Sequence, residues 1–556
     1  MAPSQTTPDV SARPEPFRWE RADTAQALHD FHDPRCSPPC QRHYAEQAGL
    51  PRSTLQYWLQ RQRRLDLDPA AAAFFDSPAG LDFLHRLLVA AHLAFGLQSS
   101  AGLRPVCLFL RLCRLDRVVA ASYGARQQFA ATLEQAVLDF AAQQRPLLAQ
   151  DMPAKEIALA EDETFHPQVC LVALEPVSGF LLVEQYAARR DQASWDAAVQ
   201  QALAGLPVTV AVQVGDEAKG LLAHAHAGLG VPHSPDLFHV QHELARAMAP
   251  GLAARTRHAQ QYLEGTQQRL EQACRQREEA AGQPRGPGRP IDHDRRVAEA
   301  ERAVAGGQRW VAACQGRQEQ AREAIRAVGE ADHPFDLGSG QAQEAATVGR
   351  RLEESLEQLE ALAGQATLPE ASRERLAKAR RVLPGLVAAV AYFWVRVRAA
   401  AGQRYGAESW GWVERLVAAL YLRRVAGQVG GAEQRARLRG LAERCLAEAR
   451  AGVAEPAGGW AEAERGAREW AGWFQRSSSC VEGRNGQLAL RHHSLHRLSG
   501  RRLGALTVLH NYWLKRPDGT TAAERFFGKR PADLFEWLLA RLPVPARPAK
   551  RRVQAA

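Results

Sequence analysis

All of the strand-like patterning in this 556-residue chain lies between Glu156 and Pro235. Four short apolar runs there are bounded by polar or turn residues: EIALAED, QVCLVALEP, GFLLVEQYA and VTVAVQVGD. Such runs read as strands. DQASWDAAVQQALAGL and EAKGLLAHAHAGL read as helices, and VPHSPDLFHVQHEL as a short buried strand running into a helix. The order β-β-β-α-β-α-β-α is that of one mixed α/β layer. Strand signals do not return, so helices must build the rest. Residues 67–150 read as a helical domain, and 340–470 as further helices. Residues 255–281 and 291–329 read as an antiparallel helical hairpin about 40 Å long, at about 1.5 Å per residue, around the turn GQPRGPGRPID.

Length and composition bound the function. A chain of 556 residues suggests roughly three to five domains or one large elaborated one. Nine Cys, odd in number and irregularly spaced, indicate no secreted disulfide framework. The N-terminus has no apolar signal region, and no stretch approaches the ~20 apolar residues of a membrane span. A cytoplasmic protein without a membrane partner is expected, nucleoid-associated when bound to DNA. The net charge is +10, and it is localised: residues 484–556 hold fifteen Lys/Arg against four Asp/Glu. A second basic block, 35–64, holds six Arg and one Glu. Clustered cations displace counterions from phosphates, so two such blocks favour nucleic acid as the partner.

The first block surrounds a recognisable motif. In CQRHYAEQAGLPRSTLQYWLQRQRRL, two short apolar helical faces are separated by Gly49, the pattern of a helix-turn-helix over 35–66. The second helix opens with Arg52, Ser53, Thr54, Gln56 and Tyr57, where base-edge contacts are made. Residues 1–34 read as a disordered, Pro-rich tail, and 531–556 as a basic C-terminal tail.

Acidic residues end two of the strands. Asp162 closes the first, in AEDETF, and Asp216 the fourth, in VQVGDEAKG. Carboxylates held on rigid strands suit a hard divalent cation. Glu482, in SSSCVEGRNGQLALRHHSLHR, is the third candidate. It lies three residues from Asn485, hence on one helix face, with Ser477–Ser479 placed to cap. The same stretch supplies Arg484, Arg491, His492, His493, His496 and Arg497. Within AEDETF, Glu161 or Glu163 could replace Asp162, but alternation puts Asp162 on the opposite face from both.

These motifs, in this order, resemble an insertion-sequence transposase with an RNase H-like DDE core. AEDETF resembles the first catalytic motif, VGDEAKG followed by SPDLFHVQHEL the second, and SSSCVEGRNG the third; NYWLKRPDGTTAAERFFGKRP resembles the tail motif. The resemblance covers about 156–250 and 470–530. It implies an α/β RNase H-like core in two parts, 151–250 and 470–530, interrupted by an all-α insertion at 251–469. It implies that Asp162, Asp216 and Glu482 hold two Mg²⁺ (or Mn²⁺) ions that cut a phosphodiester and join the 3′-OH to target DNA. Arg484, Asn485, Arg491 and Lys515 become DNA contacts, and Glu161, Asp236 and His239 possible site-lining residues. The implied partners are double-stranded DNA, as element ends and target, and further copies of the chain in a dimer or larger synaptic complex. A nuclease without strand transfer, and a non-catalytic DNA-binding protein from a decayed element, are the alternatives.

Other motifs are read as structural. Cys36 and Cys40 lack a second pair at zinc spacing. His224 and His226 do not share a helix face and are expected at the surface. Ser477–Ser479 lack the arginine pattern of a serine recombinase. Trp394, Trp410 and Trp412 are expected in the core.

Overall fold

The sheet contains five strands: β1 (Lys155–Phe165), β2 (Val169–Glu175), β3 (Phe180–Ala187), β4 (Val208–Gly215) and β5 (His233–Pro235). Their spatial order is β3-β2-β1-β4-β5, with the first three antiparallel and β4 and β5 parallel to β1. This is a computed structural model, and it describes residues 19–33, 35, 40–165, 168–281, 291–495 and 498–548. The expected 1–18 tail, Cys36, His496, Arg497, the hairpin turn and residues 549–556 lie outside the described residues. The chain divides into two units, one of residues 1–150 and 488–556, the other of 151–487.

In the second unit each sheet face has its own cover. The Gln192–Leu203 helix, capped by Asp191, lays Trp195 on Leu159, Leu171, Ala173 and Val183. The long helices pack elsewhere on the sheet. Ala211 of β4 belongs to the core of the Leu237–Ala281, Ala345–Gln365, Glu370–Tyr405 and Trp410–Gln428 helices. Tyr392 donates its hydroxyl to the Ala211 carbonyl at 3.1 Å, and Trp473 its indole N–H to that of Glu156 at 3.1 Å. Residues 251–469 fall in the same unit as the sheet.

This corrects the expected fold class. The chain is 71% helical with one small mixed sheet, so an α/β, RNase H-like core does not describe it. The strands lie where the apolar runs put them, but the dominant core runs through helices. The hairpin is also longer than expected, with arms Leu237–Ala281 and His293–Ala331.

The first unit contains the helix-turn-helix. Gln41–Gln47 and Arg52–Arg63 flank Gly49, whose φ of +65° closes the turn. A third helix, Arg21–His32, completes its core, in which Leu28 packs with Ala45, Leu50, Leu55, Trp58 and Leu59. That helix corrects the reading of 1–34 as a disordered tail. Residues 546 and 547 are also anchored: Ala120 N–H donates to the Ala546 carbonyl at 2.9 Å, and Arg547 meets Asp76 at 3.4 Å. Residues 488–548 belong with 67–150, since Tyr512 and Trp537 both stack edge-on against Phe140 of the Tyr123–Gln150 helix.

Two helical stretches, Pro78–Gln98 and Glu370–Tyr405, are long and apolar enough to cross a membrane, with mean hydropathy 1.3 and 1.4. Scattered charges hide them from a count of consecutive apolar residues. Both contribute side chains to the protein interior, including Leu84, Leu88, Val390 and Phe393.

Candidate active site

Strand register decides which acids can meet. Asp162 of β1 pairs with Val172 of β2, which pairs with Glu184 of β3, so Asp162 and Glu184 share one sheet face. Glu161 and Glu163 point to the other face, where Glu163 meets Arg190 at 2.9 Å and the Trp195 indole at 3.4 Å. The expected alternation holds.

The Ser479–Leu495 helix meets both residues on the Asp162 face. Asn485 Nδ2 donates to Asp162 Oδ2 at 2.7 Å, and Arg484 forms a two-pronged pair with Glu184 at 2.6 and 2.7 Å. Asp236 sets where this helix begins. Its Oδ2 accepts from the Ser478 backbone N–H at 2.9 Å and from the Ser478 hydroxyl, while Leu237 N–H donates to the Arg476 carbonyl at 2.9 Å. Ser477 Oγ accepts from Ser479 N–H at 3.1 Å. These bonds carry Glu482 back to the sheet across the helical residues that separate it from Asp216.

Asp162, Asp216 and Glu482 thus come into one neighbourhood, each partly exposed. Burial pushes the Asp162 carboxyl up to about 7, and the charges of Glu482 and Asp216 add to the shift. Glu163 N–H, donating to Asp162 Oδ1 at 2.8 Å, and His239 oppose it. His239 Nε2 lies 3.5 Å from Glu482 Oε1. Three oxygen donors whose charges repel one another are chemically suited to a hard divalent cation. Their present rotamers do not close around one: among the described residues, no group of three or more His, Cys, Asp or Glu forms a cation-holding cluster. A cleft of about 360 Å³ takes in one of the three, Asp216, and is lined further by Asp236, His239, Glu243 and Lys378. Lys378 comes from the Glu370–Tyr405 helix, and nothing in its local sequence marks it.

Several expected site residues have other work. Arg484 is buried in its pair with Glu184 and is not available to DNA. Asn485 is buried against Asp162, so it positions a carboxylate instead of touching DNA. Arg491 donates to the Leu97 carbonyl at 2.6 Å and the Gln98 carbonyl at 2.7 Å, at the end of the His92–Gln98 π-helix in the first unit. Lys515 is exposed, also in the first unit. Arg52, Ser53 and Gln56 are exposed on the helix-turn-helix, with Thr54 half-buried. Trp394 and Trp412 are buried and Trp410 packs against their core.

One buried group escapes the sequence reading. His224, expected at the surface, is fully buried, with Nδ1 2.6 Å from Asp196 and Nε2 3.2 Å from Glu161. Burial opposes its charge, but the two carboxylates hold its pKa above the ordinary histidine range. Gln213 links Glu161, at 3.0 Å, to His233, at 2.5 Å. Glu161 is therefore committed to the interior and leaves Asp162, on the opposite sheet face, as the candidate acid of β1. His224 opens the short π-helix His224–Leu229 that follows the Lys219–Ala223 helix, and nothing in its local sequence announces its burial.

Residues 413–554 match a family of unknown function, DUF6399. That span includes Glu482, Asn485 and Lys515. No curated protein and no solved structure matches the chain.

Proposed function

We propose that the chain is a DNA transposase whose carboxylates Asp162, Asp216 and Glu482 hold divalent cations, Mg²⁺ or Mn²⁺. The observation that carries this reading is the convergence of three acids from β1, the end of β4 and a helix beginning at Ser479. Bound there, the cations would polarise a phosphodiester and favour attack by a hydroxyl. Asn485 fixes the Asp162 carboxylate from one side and Glu163 N–H from the other. His239 stands beside Glu482, its Nε2 3.5 Å from the carboxylate. Lys378, on the wall of the cleft, supplies a cation for the phosphate strand.

Charge distribution supports DNA as substrate. Residues 1–150 and 488–556 hold 30 Lys/Arg against 18 Asp/Glu, a net of +12, while 151–487 hold 41 against 43, a net of −2. The first unit is suited to holding DNA by its phosphates, and the second to holding the cations. The chain would act as a dimer or larger complex, because two element ends must be joined.

The test is incubation of DNA carrying the element's own ends with wild type, Asp216→Asn and Glu482→Gln. Mg²⁺-dependent cutting at the ends, with joining to a second DNA, absent from both variants, is the expected result. Cutting without joining would identify a nuclease, and cutting that survives both substitutions would move the site elsewhere. The engagement of both Asp162 oxygens favours one rival, a DNA-binding protein without catalysis. That rival requires wild type to bind the ends without cutting them under any divalent cation.

A further inference from the structure

The first unit contains a pocket of about 460 Å³ in which the candidate carboxylates take no part. Trp513, Lys515, Glu524, Arg530 and Asp533 line it, with Gln98 from the earlier part of the unit. Its rim is held in shape by local bonds. Lys515 pairs with Thr521 in an antiparallel bridge, and Arg516 N–H donates to the Thr520 carbonyl at 3.0 Å. The Asp518 carboxylate accepts from Thr520 N–H at 2.9 Å, and Gly519, at φ +81°, completes the turn. A side chain at 519 would strain that backbone. Lys515 and Arg530 are both exposed, and among the described residues neither is in an ion pair. The indole of Trp513, backed by Phe535 with ring centroids 6.4 Å apart, is part of the wall.

We propose that this pocket takes one unpaired nucleotide of a DNA strand, its phosphate at Lys515 and Arg530 and its base against Trp513. Two cations held in no ion pair, beside an aromatic ring, match the chemistry of a nucleotide, since phosphate needs the charge and every base has a face to stack; of the two carboxylates in the lining, Asp533 is engaged by the Glu536 N–H at 3.0 Å. Glu524 sets the pocket against a bare anion and toward a ligand with N–H donors, which adenine, guanine and cytosine carry. A base within a duplex is stacked on both sides and cannot enter a concave site. The volume falls within the range of pockets that enclose one small-molecule unit. A strand is favoured over a free nucleotide because the unit around the pocket carries a net +12, which attracts a polyanion. The inference rests on the DNA reading but not on cleavage.

The experiment measures binding, by fluorescence anisotropy, of the full chain to a blunt duplex and to the same duplex with a single-stranded overhang. Wild type, Trp513→Ala and the double variant Lys515→Gln/Arg530→Gln are compared, with circular dichroism to confirm folding. Wild type should bind the overhang about tenfold tighter, in line with the stacking energy of one base. Both variants should erase that difference, and Trp513→Ala should leave blunt-duplex binding unchanged. Equal wild-type binding of the two DNAs, or a preference that survives both variants, overturns the pocket while leaving the DNA reading in place. Failure to bind either DNA overturns both. A free deoxynucleotide bound as tightly as the overhang overturns the strand as the source of the ligand.

Discussion

Asp162 ionises at a cost set by its surroundings. An unfolded aspartate ionises near about 4, whereas burial and two neighbouring carboxylates push folded Asp162 up to about 7. The folded state therefore holds a proton more tightly than the unfolded state. The stability this lends is fully present below pH of about 4 and is lost as pH rises through about 7, at a total cost of roughly 2–4 kcal/mol. With chelator present, Asp162→Asn should unfold at higher urea than wild type at pH 8 and show no such gain at pH 4. Adding Mg²⁺ should stabilise wild type and not the variant. An unchanged urea midpoint at pH 8 would mean that the acids do not burden the fold. Arg484 is the contrasting case. Its charge is buried and fully matched by Glu184, so Arg484→Ala leaves a carboxylate stranded and should cost about 3–5 kcal/mol in thermal or urea unfolding. A drop in DNA affinity with stability unchanged would return Arg484 to the role of a DNA contact.

Elements were legible wherever local pattern fixes them. The four strand runs show in sequence because β2 is apolar up to its closing Glu175, and β1 and β4 each contain a short apolar stretch, IALA and VAV, bounded by polar residues. The helix-turn-helix shows because Leu55, Trp58 and Leu59 repeat at helical spacing. Partnership at long range was not legible. Nothing near Arg484 announces Glu184, 300 residues away, and nothing in the helices after residue 250 announces that Tyr392 and Trp473 reach the sheet. The acids of the site were found because strand ends and a Glu-x-x-Asn spacing are local features, whereas Lys378 and His224 acquire their places only through packing. Gly215 ties local and long-range order together at one point. A Cβ there would stand 2.9 Å from the Glu161 carbonyl oxygen and 3.0 Å from Gln213 Nε2. Because the first of these is backbone of a central strand, Gly215→Ala must push β1 from β4 just where Asp162 and Asp216 are carried. It should cost about 1–3 kcal/mol of stability, and end cleavage should fall further than the stability loss explains. Wild-type cleavage by a folded Gly215→Ala chain would separate the strand-end geometry from the chemistry.

At the scale of the whole molecule, charge follows the division into units, and local pattern follows it less well. The sequence separates a basic C-terminal stretch from a near-neutral remainder, but the structure assigns that stretch to the unit that contains the helix-turn-helix. The basic blocks at 35–64 and beyond 484 thus become largely one cationic body of net +12, while a second body of net −2 holds the three carboxylates. On the proposed reading, self-repulsion within the first body is relieved when phosphates replace its counterions, so DNA affinity should fall steeply with salt. Arg52, Arg63 and Arg64 are exposed on or beside the recognition helix. Their replacement by Gln should lower the slope of log affinity against log salt by up to about 2.7, near 0.9 for each phosphate no longer neutralised. The thermal midpoint should hardly change, because none of the three side chains is buried. The same substitutions on the −2 body, at exposed Arg437, Arg439 and Arg444, should leave the salt slope where it is. Equal changes in slope from the two sets would mean that both bodies hold the DNA, and the division of labour between holding the strand and cutting it would then fail.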